Sequence, residues 1–548
     1  MNKKKVLFCS EASWLSTGYS VYTKEVLSRL SKVDSIEVAE LACYADQNNP
    51  NIATTPWKVY PNKPLKDDPT FSSYSQNPAA QFGEQTFNQV LLDFQPDIVI
   101  DIRDWWMIEF QQRSPFRDFF HWAIMPTVDA SPQADQWINT YASADSVFTY
   151  SEFGRDVLLN QCKDINFVDM APPSASSVFT KLDKSHVRDI MGVANDVFII
   201  GTVMRNQKRK LYPDLMETFR RFLDKTRNPK AFLLCHTYYP DVGWEIPKYI
   251  IDNGLSNRVL MTYKCKKCKH ISVDFFKDSV QMCPKCSEFT NQLVGINNAI
   301  NEQELALIYN LMDIYVQYAN SEGFGMPQLE AAQCGIPVVS TYYSAMQSIV
   351  DNIDAIGITP LSYYIECETG CKRAIPDNDK FLETLLELTS NKESLETIGD
   401  KICKKAKDHY TWDKTANVWL KHIESIEVKD KNKTWNSPLR SIKPASQIPD
   451  NINAIVDKVN FLFRHVLCKP EWIGGYFWKK VIKDCTFGYK CENLNKDFYF
   501  NESHKQSQTS NAAFSIDDAY KELKFFRDQI NEWEKARYEK MSSMSREQ

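Results

Sequence analysis

The chain has 548 residues, of which 43% are hydrophobic and 13% aromatic, and its formal net charge is −5. It is too long for one hydrophobic core, and its apolar share can fill several. The negative charge excludes an overall basic field directed at nucleic acid or an anionic membrane, although not a local basic patch. No segment approaches the roughly 18 apolar residues of a membrane span. The apolar run at residues 6–10 is too short for a secretory signal, so we expect a cytoplasmic protein, or one in the host cytoplasm if it is viral.

Alternating strand and helix patterns in the first half of the chain predict a parallel sheet. Its strands are expected at residues 6–10, 36–41, 97–102, 122–125 and 146–150. Helices are expected between them, for example at residues 19–30 and 133–142. Residues 48–78 are rich in Pro, Asn, Asp and Ser, which predicts a long excursion.

The second half repeats the alternation and ends in a different kind of segment. Strands are expected at residues 197–203, 231–235, 258–263 and 313–319, and helices at residues 302–312 and 413–423. Residues 428–449 are polar and contain three prolines, which predicts a linker. Beyond it, helical patterns predict a mainly helical C-terminal extension over residues 450–548, in which we find no catalytic motif.

The segment SEGFGMPQLEAAQCG, residues 321–335, joins a glycine loop to a short helix. Gly323 and Gly325 give the backbone freedom beside a ligand. Pro327 suits the start of a helix and Gly335 its end, so we expect a helix of about two turns, followed by another strand. In a parallel sheet such a loop lies at the carboxyl ends of the strands, and the free N–H groups that open the helix favour an anion such as phosphate.

Glu322 and Glu330 would repel a phosphate unless they face other groups. A carboxylate accepts two hydrogen bonds from neighbouring hydroxyls, and such charge-assisted bonds are stronger than neutral ones. The arrangement therefore suits a nucleotide sugar, with N–H groups on the diphosphate, Glu330 on the ribose and Glu322 on the transferred sugar. For either glutamate alone, the simpler interpretation is that Glu330 complements the helix dipole and that Glu322 is solvated.

The spacing of these glutamates within EGFGMPQLEAAQCGIPVV resembles the E-x7-E signature of family 4 glycosyltransferases. The resemblance implies an α/β GT-B fold, in which two Rossmann-like parallel-sheet domains face a cleft. Residues 1–178 would form the acceptor-side domain and residues 179–427 the nucleotide-sugar domain. The implied enzyme is a retaining hexosyl- or pentosyltransferase that uses a UDP- or GDP-linked sugar and no catalytic metal.

A second match lies upstream, where a strand pattern is followed by Arg205 and, five residues later, by Lys210. In the family these positions clamp the donor diphosphate, and the arginine fork and lysine charge can neutralise it without a metal. A solvated basic turn is the alternative interpretation. Where many members have a histidine, the counterpart here is Asp129, which the resemblance makes a candidate for orienting the acceptor or acting as a base.

The resemblance thus implies two overlapping sets of site residues. The catalytic set is Arg205, Lys210, Glu322 and Asp129. The donor-binding set is Gly18, Arg205, Lys210, Glu322, Gly323, Phe324, Gly325 and Glu330. Gly18 is included because its loop takes the place of the family's first-domain glycine loop, but an ordinary strand-to-helix turn explains a single glycine equally well.

Four of the fifteen cysteines form two C-x2-C pairs, Cys265 with Cys268 and Cys283 with Cys286. Their spacing is close to that of a zinc ribbon, whose two knuckles hold a structural zinc with four thiolates. Chance in a cysteine-rich chain and a redox pair are the alternatives, and the second is disfavoured because two pairs are present. The ribbon would be an insertion at residues 262–292, within a strand-to-helix loop.

That insertion is locally basic and, by the carboxyl-end rule, opens toward the cleft. Its lysines are Lys264, Lys266, Lys267, Lys269 and Lys285. A basic insertion at the mouth of a sugar-transfer site favours DNA carrying hydroxylated bases as one acceptor, although such lysines also simply confer solubility.

Two other functions remain open from the sequence. One is transfer of a sugar to an envelope lipid or polysaccharide, which a basic amphipathic helix in the first domain would support. The other is a non-catalytic nucleic-acid-binding zinc-ribbon protein, against which the intact Arg205, Lys210, Glu322 and Glu330 argue.

Overall fold

The computed structural model describes residues 3–390 and 392–429 together with Trp435, except for the side chains of Ile296, Lys392 and Glu393. The predicted linker at residues 428–449 lies outside the described residues from 430 onward apart from Trp435, and the predicted helical extension at 450–548 lies entirely outside them. The chain divides into two compact units, residues 1–112 with 120–431 and residues 113–119 with 432–548. Within the second unit, the rings of Phe116 and Phe119 pack against Trp435, with centroids 5.8 and 4.9 Å away.

The first half of the chain forms a seven-stranded sheet in which all neighbouring strands are parallel. The order is β3-β2-β1-β4-β5-β6-β7, and Val6 on β1 therefore lies between Val38 and Ile98. The five strands predicted from the sequence are all present. The strands are β1 Lys4–Glu11, β2 Ile36–Asp46, β3 Lys58–Lys63, β4 Ile98–Asp101, β5 His121–Ile124, β6 Ser146–Thr149 and β7 Phe167–Met170.

Helices connect these strands, and several have caps that the sequence encodes. The hydroxyl of Thr17 accepts the N–H of Ser20 at the start of the first helix, and the hydroxyl of Ser151 accepts the N–H of Gly154 at the start of the last. The helices are α1 Gly18–Leu30, α2 Asn51–Thr54, α3 Phe71–Gln76, α4 Pro78–Gln81, α5 Glu84–Phe94, α6 Trp105–Gln112, α7 Asp135–Ala142 and α8 Glu152–Gln161.

The predicted excursion at residues 48–78 contains a strand that the sequence pattern did not predict. β3 pairs with β2 and forms one edge of the sheet. Pro61 lies within β3, and a proline is tolerated there because an edge strand has one side free of ladder hydrogen bonds. The segment therefore belongs to the first sheet rather than standing apart from it.

The second half forms a nine-stranded sheet in the order β12-β13-β10-β9-β8-β14-β15-β16, with β11 paired to β10. The pairs among β10, β9, β8, β14, β15 and β16 are parallel, whereas β11, β12 and β13 join by antiparallel pairing. The strands are β8 Phe198–Val203, β9 Ala231–His236, β10 Val259–Cys265, β11 Ile271–Phe275, β12 Gln281–Met282, β13 Phe289–Leu293, β14 Ile314–Gln317, β15 Val338–Thr341 and β16 Ile356–Ile358. A separate hairpin follows, formed by β17 Ser362–Ile365 and β18 Lys372–Ile375.

Nine helices follow in the second half of the described chain, and the last of them packs against the first sheet. They are α9 Lys184–Met191, α10 Tyr212–Thr226, α11 Ile246–Asp252, α12 Glu302–Asn310, α13 Met326–Gln333, α14 Ala345–Ile353, α15 Asn378–Ser390, α16 Lys392–His409 and α17 Trp412–Ser425. On α17, which the sequence predicted as the closing helix, Trp419 packs on Phe148 and donates its indole N–H to the Tyr22 hydroxyl at 2.7 Å. Within residues 3–390 and 392–429, no helix combines the length and the apolar character needed to cross a membrane.

Candidate donor site and cysteine cluster

The glycine loop of residues 321–325 connects β14 to α13, as the sequence predicted, and α13 is followed by β15. Gly325 caps α13 with φ of 101°, a left-handed conformation that favours glycine, and a Cβ there would overlap the side chain of Gln328. Pro327 lies in the first turn of the helix. The loop therefore leaves the first N–H groups of α13 at the carboxyl edge of the second sheet, where an anion is favoured.

Glu322 is a buried carboxylate held by three neighbours. Its Oε1 accepts the side-chain N–H of Gln317 at 2.8 Å and lies in contact with Nζ of Lys210. Its Oε2 lies 3.6 Å from Nε of Arg209. The backbone N–H of Glu322 donates to the Ser344 hydroxyl at 2.9 Å, which fixes the position of the residue in the loop.

Lys210 reaches Glu322 because its own segment runs beside the glycine loop. Lys210 and Ala319 form an antiparallel bridge, and the N–H of Asn320 donates to the carbonyl of Arg209 at 2.9 Å. The side chain of Lys210 is buried, whereas that of Arg209 is 41% exposed. The backbone thus places one cation inside the site and a second at its border.

Arg205 lies in the loop after β8 and is paired with a carboxylate. Its guanidinium donates two hydrogen bonds to the Asp241 carboxylate, at 2.8 and 3.0 Å, and its side chain is 47% exposed. Asp241 follows β9, the strand next to β8. A phosphate bound at Arg205 would therefore share the guanidinium with Asp241.

Glu330 is buried in the second turn of α13, and the Tyr309 hydroxyl donates to its Oε2 at 2.6 Å. Burial raises the pKa of Glu330 to about 7, an effect that the hydrogen bond from Tyr309 opposes. A carboxyl group whose pKa lies near 7 and whose orientation is fixed by one phenol can, when ionised, accept hydrogen bonds from hydroxyls of a bound ligand.

The glycine loop also meets the first domain. Gly323 lies against Thr127, whose Cγ2 a Cβ at position 323 would overlap. Gly18, at the start of α1, faces the start of α13, because a Cβ there would lie 4.0 Å from Met326 Sδ. Phe324 is buried with its ring 5.7 Å from that of Tyr410. The structure therefore brings the predicted Gly18 loop and the predicted donor loop together.

Asp129 lies in the loop after β5 of the first sheet and is held by an arginine from the second half of the chain. Arg373 on β18 donates to Asp129 Oδ2 at 2.8 Å and to the Ser321 hydroxyl at 2.6 Å. Another guanidinium nitrogen of Arg373 donates to Glu366 at 2.8 Å. The sequence did not predict Arg373, because nothing near it resembles a motif. It also did not predict Arg209, which directly precedes Lys210.

The four cysteines of the two C-x2-C pairs come together, and their sulfur atoms all lie within 4.8 Å of one another. The two knuckles have the same backbone pattern. Lys269 and Ser287 follow them with φ of 60° and 58°, and their N–H groups donate to the carbonyls of Cys265 and Cys283 at 3.0 and 2.9 Å. His270 lies outside this cluster. Four thiols in this geometry form the donor set that a tetrahedral metal site requires.

The cluster lies in strands that extend the second sheet. Cys265 ends β10, two strands from β8, and the ribbon strands β11, β12 and β13 follow. Lys264 of β10 pairs with Glu304 of α12 at 2.7 Å, which ties the ribbon to the helix after it. β10 continues past residue 262, where the insertion was predicted to begin. The ribbon is therefore continuous with the second sheet and is not confined to a loop.

Comparison with solved structures gives the fold class, which is GT-B. The structure matches sucrose-phosphate synthase from Thermosynechococcus elongatus with a TM-score of 0.57 at 15% identity, over 77% of this chain and 98% of that one. It also matches Anabaena HepE in complex with UDP and glucose, with a TM-score of 0.55 at 14% identity, over 77% of this chain and all of that one. These likenesses confirm the predicted fold.

Sequence comparison shows that one segment of the chain matches a known family model. Residues 291–399, which contain Glu322 and Glu330, match the family model described as "Glycosyl transferases group 1". The chain is 23% identical over 180 residues to alpha-monoglucosyldiacylglycerol synthase of Acholeplasma laidlawii, covering 33% of this chain and 36% of that one. It is 26% identical over 132 residues to a probable sucrose-phosphate synthase of Thermosipho melanesiensis, covering 23% and 27%. The matches thus span about a third of the curated relatives, and the chain contains, within a GT-B fold, a segment that matches the group 1 glycosyltransferase model.

Proposed function

We propose that this protein is a glycosyltransferase that moves a sugar from a nucleotide diphosphate sugar to an acceptor hydroxyl with retention at the anomeric carbon. The observation that carries the proposal is the contact between Glu322 and Lys210 beside the start of α13. A carboxylate suits sugar hydroxyls and a lysine suits phosphate oxygens. Their adjacency matches the adjacency of sugar and diphosphate in the donor.

The remaining donor contacts follow from the same geometry. Glu330, oriented by Tyr309, would bind the ribose, and the N–H groups from Gly323 to Gly325 would bind the diphosphate. Gly18 and Phe324 would complete the wall of the site. Arg205 would contact the donor diphosphate while it remains hydrogen-bonded to Asp241. The UDP-glucose complex of the similar Anabaena HepE supports a donor of the UDP class.

In the proposed reaction the bond between the anomeric carbon and the phosphate oxygen breaks, and the acceptor oxygen bonds to that carbon on the same face. The acceptor proton passes to the departing phosphate oxygen, so a nucleoside diphosphate leaves. Lys210 and the start of α13 are preorganised donors for the charge that develops on this phosphate, each contributing on the order of 3 kcal/mol. No catalytic metal is required for this step.

A panel of UDP- and GDP-linked hexoses and pentoses tests the donor assignment. We expect one or a few of them to be hydrolysed or transferred, with release of the nucleoside diphosphate, and NMR of the transferred sugar to show an unchanged anomeric configuration. An inverted product would refute retention. A protein that binds and turns over none of the panel would refute the assignment as a whole.

For the acceptor, we propose a hydroxyl on a modified DNA base, with the cysteine ribbon as the contact surface. Lys264 and Lys267 are engaged by Glu304 and Glu288, whereas Lys266, Lys269 and Lys285 are exposed. Exposed lysines that neutralise phosphates make binding strongly dependent on salt.

The test is binding of hydroxymethylated duplex DNA at increasing salt concentrations. Replacing the three exposed ribbon lysines by Gln should weaken binding and flatten its salt dependence, whereas the matched triple replacement of Lys404, Lys407 and Lys421, exposed on α16 and α17, should not. Equal losses in both variants, or no binding by the wild type, would refute a DNA acceptor.

The alternative acceptor, an envelope lipid or polysaccharide, has less support from the structure. A lipid surface would call for free basic residues on α1. Lys24 lies near Glu25 and Glu302, and Arg29 pairs with Glu25 and Asp413, so both bases of that helix have acidic partners. The non-catalytic alternative would leave the buried Lys210–Glu322 pair without a role.

We also propose that the four clustered cysteines bind a structural zinc ion. The sulfur atoms are close enough to share one ion, and both knuckles present the same backbone conformation. Zinc would hold the ribbon strands together where few buried apolar side chains do so. The ion would have no part in sugar transfer.

A further inference from the structure

Two segments of the second half of the chain run beside the residues that lead into the glycine loop. Lys210 forms a bridge with Ala319, and the N–H of Ala374 donates to the carbonyl of Asn320 at 3.0 Å. The number of N–H groups that protein atoms already occupy decides which cation of these segments can still bind an anionic ligand. The cations to compare are Arg205, Arg209, Lys210 and Arg373.

Three of these four cations are bound by carboxylates. Lys210 lies in contact with Glu322. Arg205 donates two hydrogen bonds to Asp241, at 2.8 and 3.0 Å. Arg373 uses all three of its guanidinium nitrogens as donors, and two of its acceptors are carboxylates. An anion bound to any of the three would therefore be repelled by a carboxylate that is already there.

Arg209 differs from the other three. Its Nε lies 3.6 Å from Glu322 Oε2, which is beyond hydrogen-bonding distance. Within residues 3–390 and 392–429, its guanidinium makes no hydrogen bond, and its side chain is 41% exposed. A guanidinium has five N–H donors in a fixed plane, so those of Arg209 remain available to a ligand.

The backbone nevertheless fixes the place from which this side chain extends. The carbonyl of Arg209 accepts the N–H of Asn320 at 2.9 Å, directly before the glycine loop. Lys210 and Arg209 lie beside the two different oxygens of the Glu322 carboxylate. Because Glu322 balances only one of these two cations, one positive charge is left beside the start of α13, where a phosphate is favoured.

We propose that Arg209 is the arginine that contributes most to binding of the donor diphosphate. The proposal rests on the proposed sugar transfer and gives a role to a residue that the resemblance leaves without one. The planar guanidinium would donate to two phosphate oxygens side by side, whereas Lys210 supplies a point charge. Arg205 would contribute less, because Asp241 already accepts two of its hydrogen bonds.

Binding of UDP and of GDP to the purified protein, measured by isothermal titration calorimetry, tests this assignment. For the diphosphate that the wild type binds, we expect Arg209→Gln to weaken binding about 10- to 100-fold, and Arg205→Gln to weaken it by a smaller factor. Arg209→Lys keeps the charge but loses the planar fork, so its affinity should lie between those of the wild type and Arg209→Gln. Lys208→Gln, at the exposed neighbouring lysine, is the matched control and should bind as the wild type does.

Thermal unfolding separates ligand binding from a structural role. Arg209→Gln should keep the melting temperature of the wild type, because a half-exposed ion pair at 3.6 Å contributes little to stability. Wild-type affinity in Arg209→Gln, an equal loss in Lys208→Gln, a larger loss in Arg205→Gln, or a loss accompanied by a lower melting temperature would each overturn this inference alone. A wild-type protein that binds neither UDP nor GDP would overturn the proposed function and this inference with it.

Discussion

Arg373 and Asp129 join the two halves of the cleft, with Nη1 of the arginine 2.8 Å from Oδ2 of the aspartate. The two residues are 244 positions apart in the chain. The hairpin that carries Arg373 makes further contacts with the same first-domain loop, since the N–H of Lys372 donates to the carbonyl of Ser131 at 2.9 Å. The hairpin therefore crosses the acceptor side of the proposed site and holds Asp129 there.

Removing the guanidinium by Arg373→Ala should destabilise the protein and weaken the contact between the hairpin and the loop that carries Asp129. Arg373 is buried, and its loss leaves Asp129 and Glu366 without their cation. Breaking one partner of a buried pair costs about 3 kcal/mol, less here because Asp129 is partly exposed. Urea denaturation measures the effect, and Lys372→Ala, at the exposed neighbouring position on β18, is the control. Equal stability of the two variants would contradict a bridging role.

The sequence could predict the glycine loop of residues 321–325 because its determinants are local. The positive φ of Gly325, the proline in the first helical turn and the buried strand before them all act within about ten residues. Arg373 could not be predicted, because its partner Asp129 is distant in the chain and the hairpin resembles no motif. The same holds for Asp241, which engages Arg205 across the loop after β9.

The edge strand β3 shows a different reason why a sequence pattern can fail to predict structure. Its residues include Pro61 and Asn62, which predict a loop when considered alone. Pairing with β2 on one side outweighs this local preference. The cysteine cluster is the opposite case, since the C-x2-C spacing alone predicted the four residues that the fold brings together.

Lys210→Ala should lower sugar transfer by about 100-fold or more, on the order of 3 kcal/mol, because the departing phosphate loses a preorganised cation. The measurement is kcat for the donor that the wild type uses. Because the substitution also leaves Glu322 without its cation, urea denaturation of Lys210→Ala shows how much of the lost activity comes from unfolding. If Lys210→Ala stays folded and keeps wild-type kcat, the assignment of Lys210 to the phosphate is wrong.

Glu330→Gln should lower transfer by a similar factor and, at alkaline pH, stabilise the fold. The pKa of Glu330 in the folded chain, about 7, lies above its ordinary value of 4.5. Such a carboxyl favours folding below its unfolded pKa and loses that contribution as the pH rises through the folded pKa. Above pH 7 the buried charge costs on the order of 3 kcal/mol, which glutamine avoids.

Urea denaturation at pH 5 and pH 8 measures this effect of Glu330. The stability of the wild type relative to Glu330→Gln should fall between the two pH values, and the exposed Glu217→Gln on α10 should show no such change. A variant that keeps wild-type transfer would contradict ribose binding by Glu330, whatever its stability.

Metal analysis of the purified protein should find close to one zinc ion per chain, bound by Cys265, Cys268, Cys283 and Cys286. Replacing Cys283 and Cys286 by Ser removes two of the four thiolates, so the zinc should be lost and the ribbon destabilised, whereas Cys162→Ser, outside the cluster, should retain the metal. Because β10 continues from the ribbon into the second sheet, the loss should also lower the thermal stability of the domain built on that sheet. A metal-free protein of undiminished stability would rule out a structural zinc site.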